Sequence, residues 1–154
     1  MRSEARANAL VLAGSAALLG GALLSQFVGG LFPCEMCYWQ RWPHLAAIAL
    51  GLLAWALGSN RALTALAAIA VLVSAAIGVF HAGVEYHWWE GVTTCTAAPI
   101  TGSTSEVLGS IMATPLIRCD AAQWTLFGIS LAGYNAILSG LIGGGALWLL
   151  RKPR

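Results

Sequence analysis

Four long apolar runs constrain this chain more than any other feature of its sequence. Of its 154 residues, 58% are hydrophobic and only 9% are charged, whereas a soluble domain carries about a quarter charged residues. A helix needs about 20 consecutive apolar residues to cross the hydrocarbon core of a bilayer. We therefore predict an all-α integral membrane protein, with residues 1–154 forming a single membrane domain built as a four-transmembrane-helix bundle.

The predicted spans follow the apolar runs. Two arginines precede the first run, so a cleaved signal peptide is the alternative to a membrane span. However, the run is longer than the ~7–15 residues of a signal-peptide core, and no clear small-x-small cleavage site follows it. Small residues fill the third run and allow close helix approach, so we expect that helix to be central. The predicted spans are residues 9–30, 38–58, 62–81 and 124–150, and the predicted outer loops are residues 31–43 and 82–123.

The long outer loop contains a possible short amphipathic helix. Ser103 and Glu106 have the spacing of a capping box. The apolar residues of 107–112 would then share one face, which can lie on the membrane surface. A loop packed on itself is the alternative.

The distribution of basic residues predicts the orientation. With four spans, six of the eight basic residues share the side of the termini, and only Arg41 and Arg118 lie on the other side. Under the positive-inside rule the termini are then cytoplasmic, and all four cysteines face the oxidising outer side. Nucleic-acid binding is not expected, because the sequence has no basic stripe.

Cys34 and Cys37 lie two residues apart, directly after the first span. A disulfide between them constrains little of the unfolded chain, so we favour a redox role over a structural one. If the second helix begins near Cys37, the helix dipole favours a thiolate there, and Arg41 lies on the same helix face at i+4. The Glu35 carboxylate acts in the opposite direction, because a nearby negative charge raises the pKa of a thiol. For Arg41, an ordinary interfacial anchor is the alternative.

Cys95 and Cys119 form the second candidate pair. A disulfide between them would stabilise the loop, and an external thiolate could also attack it and pass it on by exchange. Two pairs on one face of the membrane permit a relay. Zinc is the main alternative, but structural zinc sites usually combine two closely spaced pairs, and 24 positions separate these two cysteines. We therefore expect no metal.

A relay of this kind needs an electron acceptor. The sequence has no G-x-G-x-x-G motif for a nicotinamide cofactor. A lipid-soluble quinone can reach the cysteines from within the bilayer, so we expect it to be the acceptor. Three histidines fall near the outer interface, where we expect His44 and His87 to be anchors. His81 is a candidate to bind the polar head of such a ligand.

With these cysteines and spans, the chain resembles the bacterial disulfide bond formation protein B (DsbB) family. The resemblance rests on the motif Pro33-Cys34-x-Met36-Cys37-x-x-Gln40-Arg41, on the four-span profile and on His81 about fourteen residues before Cys95. The segment from Cys119 to Tyr134 is also similar to the family's entry into its last helix. One departure is Met36, where the family usually has leucine or a similar residue.

The resemblance implies a quinone-dependent thiol oxidoreductase of the bacterial inner membrane, with ubiquinone or menaquinone as acceptor. Such proteins reoxidise a periplasmic thioredoxin-like dithiol oxidase of the DsbA type. Carried over, Cys95 would form the mixed disulfide with that partner, and Cys119 would attack Cys34. Cys37 would be freed as a thiolate next to the quinone, which Arg41 would help to bind.

Two rival interpretations are open. A vitamin K epoxide reductase-like protein also couples thiols to quinones, although its C-x-x-C usually lies late in the chain. A membrane scaffold with structural disulfides is the rival from a different class.

Overall fold

The computed structural model describes residues 2–92, 103 and 117–151. Within them lie four long helices and one short hairpin. The helices are α1 (Arg2–Phe27), α2 (Glu35–Ala56), α3 (Arg61–Glu85) and α4 (Leu131–Arg151), and the hairpin pairs β1 (Thr125–Leu126) with β2 (Ile129–Ser130). Cys95 and the predicted amphipathic helix after Ser103 lie outside the described residues.

The helices form an antiparallel bundle. Each helix packs against the next one along the chain, and α1 also packs against α4. Asn8, near the start of α1, donates a hydrogen bond to the carbonyl oxygen of Gly51 near the end of α2, at 2.9 Å. The core of this half of the bundle is made mostly of alanine and valine, which allows the helices to approach closely.

Helices α3 and α4 approach each other closely around Gly78. A Cβ atom added there would lie 3.0 Å from the backbone nitrogen of Ala136 and 3.1 Å from the carbonyl oxygen of Ala132. Backbone atoms at these distances leave no room for a side chain. The predicted close packing of the third helix through its small residues is therefore confirmed.

Three helices are long and apolar enough to cross a membrane: Ser3–Phe27, Arg61–Glu85 and Leu131–Arg151. Large apolar side chains on the outside of the bundle are exposed, as a lipid-facing surface requires; Leu24 is 63% and Leu141 is 68% exposed. Helix α2 has 22 residues, about 33 Å in length, but its first half contains several polar residues. A fourth crossing therefore stays a prediction.

The prediction that the last span begins at residue 124 is wrong. Residues 125–130 form the hairpin, whose turn places Phe127 at φ 51° and Gly128 at φ 76°. Two central residues with positive φ are typical of a tight hairpin turn. Tyr86 holds the hairpin, because its hydroxyl donates to the Gly128 carbonyl and accepts from the Ser130 N–H, both at 2.8 Å.

The other predicted span boundaries lie closer to the observed helix ends. Helix α1 begins seven residues before the predicted span and ends at Phe27, and α2 begins at Glu35, three residues early. Helix α3 continues to Glu85, so residues 82–85 belong to the helix and not to the predicted outer loop.

Candidate active site

The cysteine pair sits at the amino terminus of α2. Cys34 is the N-cap residue of this helix, and Cys37 lies in its first turn. Both are free thiols with their sulfur atoms 3.1 Å apart. A disulfide bond is about 2.05 Å long, so the sulfurs need to move by only about 1 Å to form one.

The surroundings of Cys34 favour its thiolate. Its sulfur receives a hydrogen bond from the Cys37 backbone N–H at 3.3 Å, and it lies 3.1 Å from the Cys37 sulfur and 3.5 Å from His81 Nε2. The Cys37 side chain contributes most and His81 adds to it, so the pKa of Cys34 falls to about 4, although burial opposes the shift. The Glu35 side chain is exposed.

This result changes the role expected for the helix terminus. The thiolate was predicted at Cys37 if the helix began there, but α2 begins at Glu35. The sulfur that caps the helix and accepts an orphan N–H is therefore that of Cys34. In the reduced pair the stabilised thiolate belongs to Cys34, and the condition for a thiolate at Cys37, a helix that begins there, is not met.

Cys119 lies close to this pair. It is buried and disulfide-bonded, and it belongs to the same buried cluster as Cys34, Met36 and Val84. The structure thus brings together three of the four predicted catalytic cysteines. A relay from Cys119 to Cys34 requires this proximity.

Residues of α1 hold the side chain of Arg41 in position. Its guanidinium donates to the side chain of Gln26 and to the carbonyl oxygen of Ala22, and it lies over the Tyr38 ring with 5.3 Å to the centroid. Among the hydrogen bonds of the described residues, none joins Arg41 to Cys37. The two side chains instead line the same two cavities.

The larger cavity has a volume of about 400 Å³ and lies between α1, α2 and α4. Apolar side chains make most of its wall. Polar groups on α2 line one part of it: Cys37, Gln40, Arg41 and His44. This volume and this mixture of groups are typical of pockets for small apolar ligands with a polar head.

A smaller cavity of about 50 Å³ lies on the other side of the cysteines. Cys34 and His81 line it, and neither lines the larger cavity. His81 is thus placed against the Cys34 sulfur, and its predicted contact with a ligand head stays a prediction.

Behind the cysteines, buried polar side chains form a continuous hydrogen-bond network. Gln40 Nε2 lies 2.8 Å from His81 Nδ1, and Gln40 Oε1 accepts from Asn135 Nδ2 at 2.8 Å. Asn135 Oδ1 lies 3.0 Å from His44 Nε2 and accepts from the Ser139 hydroxyl, also at 3.0 Å. The network therefore links α2, α3 and α4 directly behind the reactive sulfurs.

His44 belongs to this network and not to the membrane interface. It is 3% exposed, and Ser74 and Ser139 place their hydroxyls 3.1 and 3.3 Å from its Nε2. The prediction that His44 is an interfacial anchor is therefore wrong.

The site also satisfies the distances of a small metal cluster. Ligand atoms of Cys34, Cys37 and His81 all lie within 4.8 Å of one another. Structural zinc sites have four protein ligands, and three groups come together here among the described residues. The expected absence of a metal stays a prediction.

Sequence reasoning assigned no role to Gln40, Ser74 or Asn135. A signal was available, because polar residues inside apolar runs usually face the bundle interior and mark functional sites. Asn135 and Ser74 interrupt such runs. Their shared position behind Cys34 could not be read from the sequence, because it depends on the rotation of each helix in the bundle.

Comparison with known proteins finds a matching family model and similar proteins. The family model of "Disulfide bond formation protein DsbB" matches residues 4–149. A disulfide bond formation protein B of Polaromonas naphthalenivorans (strain CJ2) is 32% identical over 96% of this chain and 91% of the relative. The corresponding protein of Verminephrobacter eiseniae (strain EF01-2) is 29% identical over 92% and 83%, respectively.

An uncharacterised protein of Rickettsia prowazekii (strain Madrid E) is also similar. It is 24% identical over 86% of this chain and 79% of its own length. No solved structure matches the chain significantly.

Proposed function

We propose, because the chain belongs to the DsbB family of disulfide bond formation proteins, that it oxidises a periplasmic thioredoxin-like dithiol oxidase and passes the electrons to membrane quinone. Family membership and three membrane-capable helices make it a multi-pass membrane protein of disulfide bond formation. The acceptor, the partner and the orientation are the proposed parts.

One observation carries the proposal: the two cysteines of the pair have different neighbours. Cys34 is buried in one cluster with the disulfide-bonded Cys119, whereas Cys37 packs against that cluster and also lines the 400 Å³ cavity, which Cys34 does not. One side of the pair is thus suited to thiol–disulfide exchange with the outer loop. The other side is suited to electron transfer into a ligand held between helices.

The cavity fits the head of a quinone. A quinone has a flat apolar ring with two carbonyl oxygens and an apolar tail, and the largely apolar cavity wall matches the ring. Arg41 is a permanent cation that can donate to a carbonyl oxygen, and Cys37 lies beside the same space. These two residues would hold and face the ring, while a bound quinone supplies the acceptor for two electrons and two protons.

The exchange steps follow from the arrangement of sulfurs. We assign to Cys95 the attack by the reduced partner, as the family resemblance implies, which frees Cys119 as a thiolate. Cys119 then attacks Cys34 in the oxidised pair, and the sulfur of Cys37 leaves with the bonding electrons. The second thiolate of the partner then attacks the mixed disulfide and frees Cys95, and Cys95 attacks Cys119 and frees Cys34. The partner thereby becomes a disulfide, and its two electrons and two protons pass to the acceptor.

The proposed orientation places the termini in the cytoplasm and the cysteines in the periplasm of the bacterial inner membrane. It rests on the excess of basic residues at the termini and the 58–61 turn. An oxidising compartment is also where a protein disulfide persists.

A trapping experiment tests the exchange order. Purified Cys119→Ala is mixed with a thioredoxin-like protein in its disulfide form, so that the Cys95 thiolate opens the partner disulfide. The mixed disulfide should accumulate, because Cys119 is missing and cannot resolve it. Non-reducing electrophoresis and peptide mass spectrometry identify the joined cysteines.

The matched control is the double variant Cys95→Ala, Cys119→Ala, which should capture no partner. Capture through Cys34 or Cys37 in both variants would contradict the assigned order. Absence of capture by either variant would favour the scaffold interpretation, in which the disulfides are only structural.

A further inference from the structure

We propose that Asn135 and Gln40 are positioning residues that fix the tautomer of His81, so that its Nε2–H always faces the Cys34 sulfur. This inference rests on the proposed function, because it concerns the same reactive pair. It assigns a role to a residue of α4 that contacts neither cysteine.

The amide of Asn135 has one permitted orientation. Its Nδ2 lies 3.2 Å from the backbone carbonyl oxygen of Ser74, which can only accept. The atom at this position must therefore be the amide nitrogen. The opposite atom, Oδ1, accepts from the Ser139 hydroxyl at 3.0 Å, which agrees with the same orientation.

The orientation of Asn135 determines that of Gln40. Asn135 Nδ2 donates to the Gln40 side chain at 2.8 Å, so the receiving atom is Oε1. Gln40 Nε2 then points the other way, and it also donates to the carbonyl oxygen of Met36 at 3.3 Å. The contact with the Met36 carbonyl supports the orientation that Asn135 imposes on Gln40, but at 3.3 Å it is longer than the 2.8 Å contact with Asn135.

The orientation of Gln40 determines the tautomer of His81. Gln40 Nε2 donates to His81 Nδ1 at 2.8 Å, so Nδ1 must be the acceptor and the proton of the neutral ring lies on Nε2. His81 is 2% exposed, so water does not compete easily for either nitrogen. The proton faces two acceptors, the Cys34 sulfur at 3.5 Å and Glu85 Oε1 at 3.7 Å.

This arrangement distinguishes the two protonation states of Cys34. A thiolate accepts the fixed Nε2–H, whereas a protonated thiol cannot donate to a nitrogen that already carries a proton. The network therefore favours the thiolate, because the Cys34 thiol finds no hydrogen-bond acceptor at His81 Nε2. The titratable and charged groups that surround Cys34 in the smaller cavity are Cys37, Arg41, His81, Glu85 and Arg118.

The variant Asn135→Leu tests this role. Without the Asn135 donor, the Gln40 amide can turn its oxygen toward His81, and the ring can then carry its proton on Nδ1. The pH midpoint of Cys34 alkylation, followed by peptide mass spectrometry on the reduced protein, should rise by about 0.5–1 pH unit, the effect of one hydrogen bond.

A second readout reports the tautomer directly. In protein labelled with ¹⁵N-histidine, the native His81 ring should show a protonated Nε2 and an unprotonated Nδ1, with the signal assigned from its loss in His81→Gln. Asn135→Leu should shift both resonances toward exchange between tautomers. If Asn135→Leu does not fold, Gln40→Met removes the same orienting amide.

Ser139→Ala is the matched control. It removes a hydrogen bond to the same Asn135 but leaves the orienting contact with the Ser74 carbonyl. Both readouts should stay at their native values in this variant. Native values in Asn135→Leu and Gln40→Met as well, or an equal shift in Ser139→Ala, would overturn the inference.

The outcome is independent of the test of the proposed function. If the native protein reduces quinone and Asn135→Leu leaves the Cys34 midpoint unchanged, only the positioning role is wrong. If the native protein reduces no quinone, the function is wrong, whatever the midpoint shows.

Discussion

Replacing His81 by asparagine should raise the pKa of Cys34 and make the cysteine pair less oxidising. Asparagine keeps a polar atom near the Nδ1 position, which contacts Gln40, but has none at Nε2, which lies 3.5 Å from the Cys34 sulfur. A hydrogen bond to a charged group is worth about 1.5–3 kcal/mol. Because sulfur accepts weakly at this distance, we take the lower end, about 1.5 kcal/mol.

This loss corresponds to about one pKa unit. The pKa of Cys34 should therefore rise from about 4 to about 5. A lowered pKa stabilises the reduced pair at pH values above about 4, and this stabilisation disappears as the pH falls through that value. Near neutral pH the His81→Asn variant thus loses part of this stabilisation of the reduced pair. The reduction potential of the pair should therefore fall by about 30 mV.

Two measurements check this prediction. The pH dependence of Cys34 alkylation gives the pKa, and equilibration with a glutathione redox buffer gives the potential. His81→Gln is the matched control, because its amide nitrogen reaches the Nε2 position and can still donate to the sulfur. If His81→Asn and His81→Gln shift both values equally, the Nε2 hydrogen bond does not set the properties of Cys34.

Three further predictions concern packing, binding and orientation. Gly78→Ala should destabilise the bundle by about 1–3 kcal/mol in a detergent unfolding titration. Gly144 has open space around it, so Gly144→Ala should not destabilise the bundle. Equal effects of the two substitutions would refute the close contact at Gly78. Arg41→Met should weaken binding of a quinone, measured by tryptophan quenching, about 10-fold or more, and Arg6→Met should not. Reporter fusions after Arg61 should report cytoplasm; an outer location would reverse the orientation.

The class of fold could be predicted from the sequence because it depends on composition and on the length of apolar runs. Runs of about 20 apolar residues gave α1 and α3 their approximate positions. The start of α4 could not be obtained in this way, since hydropathy does not separate the hairpin at residues 125–130 from a helix. The turn formed by Phe127 and Gly128 depends on local backbone angles.

Part of the site was predictable for a similar reason. Cys34, Cys37 and Arg41 are close in sequence, so they fall within the first two turns of one helix. Cys119 was a candidate as a member of the second cysteine pair, and the family resemblance implied its attack on Cys34. The structure places it in one buried cluster with Cys34. The contacts of Asn135 with Gln40 and Ser74 depend on tertiary packing across 95 and 61 residues of chain, which no local pattern specifies.

The position of the helix start explains why the thiolate of the reduced pair was expected at Cys37. The helix dipole was correctly expected to act on the pair, but the effect depends on where the helix begins. A shift of two residues in that position moved the capping role to Cys34. The contribution of His81 comes from a different helix, so the sequence alone could not reveal it.

Quinone reduction by the purified protein in detergent tests the central claim most directly. A reduced thioredoxin-like protein serves as electron donor, the absorbance of the quinone follows the reaction, and Cys37→Ser is the control. The native chain should turn over repeatedly, and Cys37→Ser should not, because its side chain faces the cavity without a redox-active sulfur. No turnover with several donors and quinones would contradict the proposed function, and turnover by Cys37→Ser would contradict the assigned role of the pair.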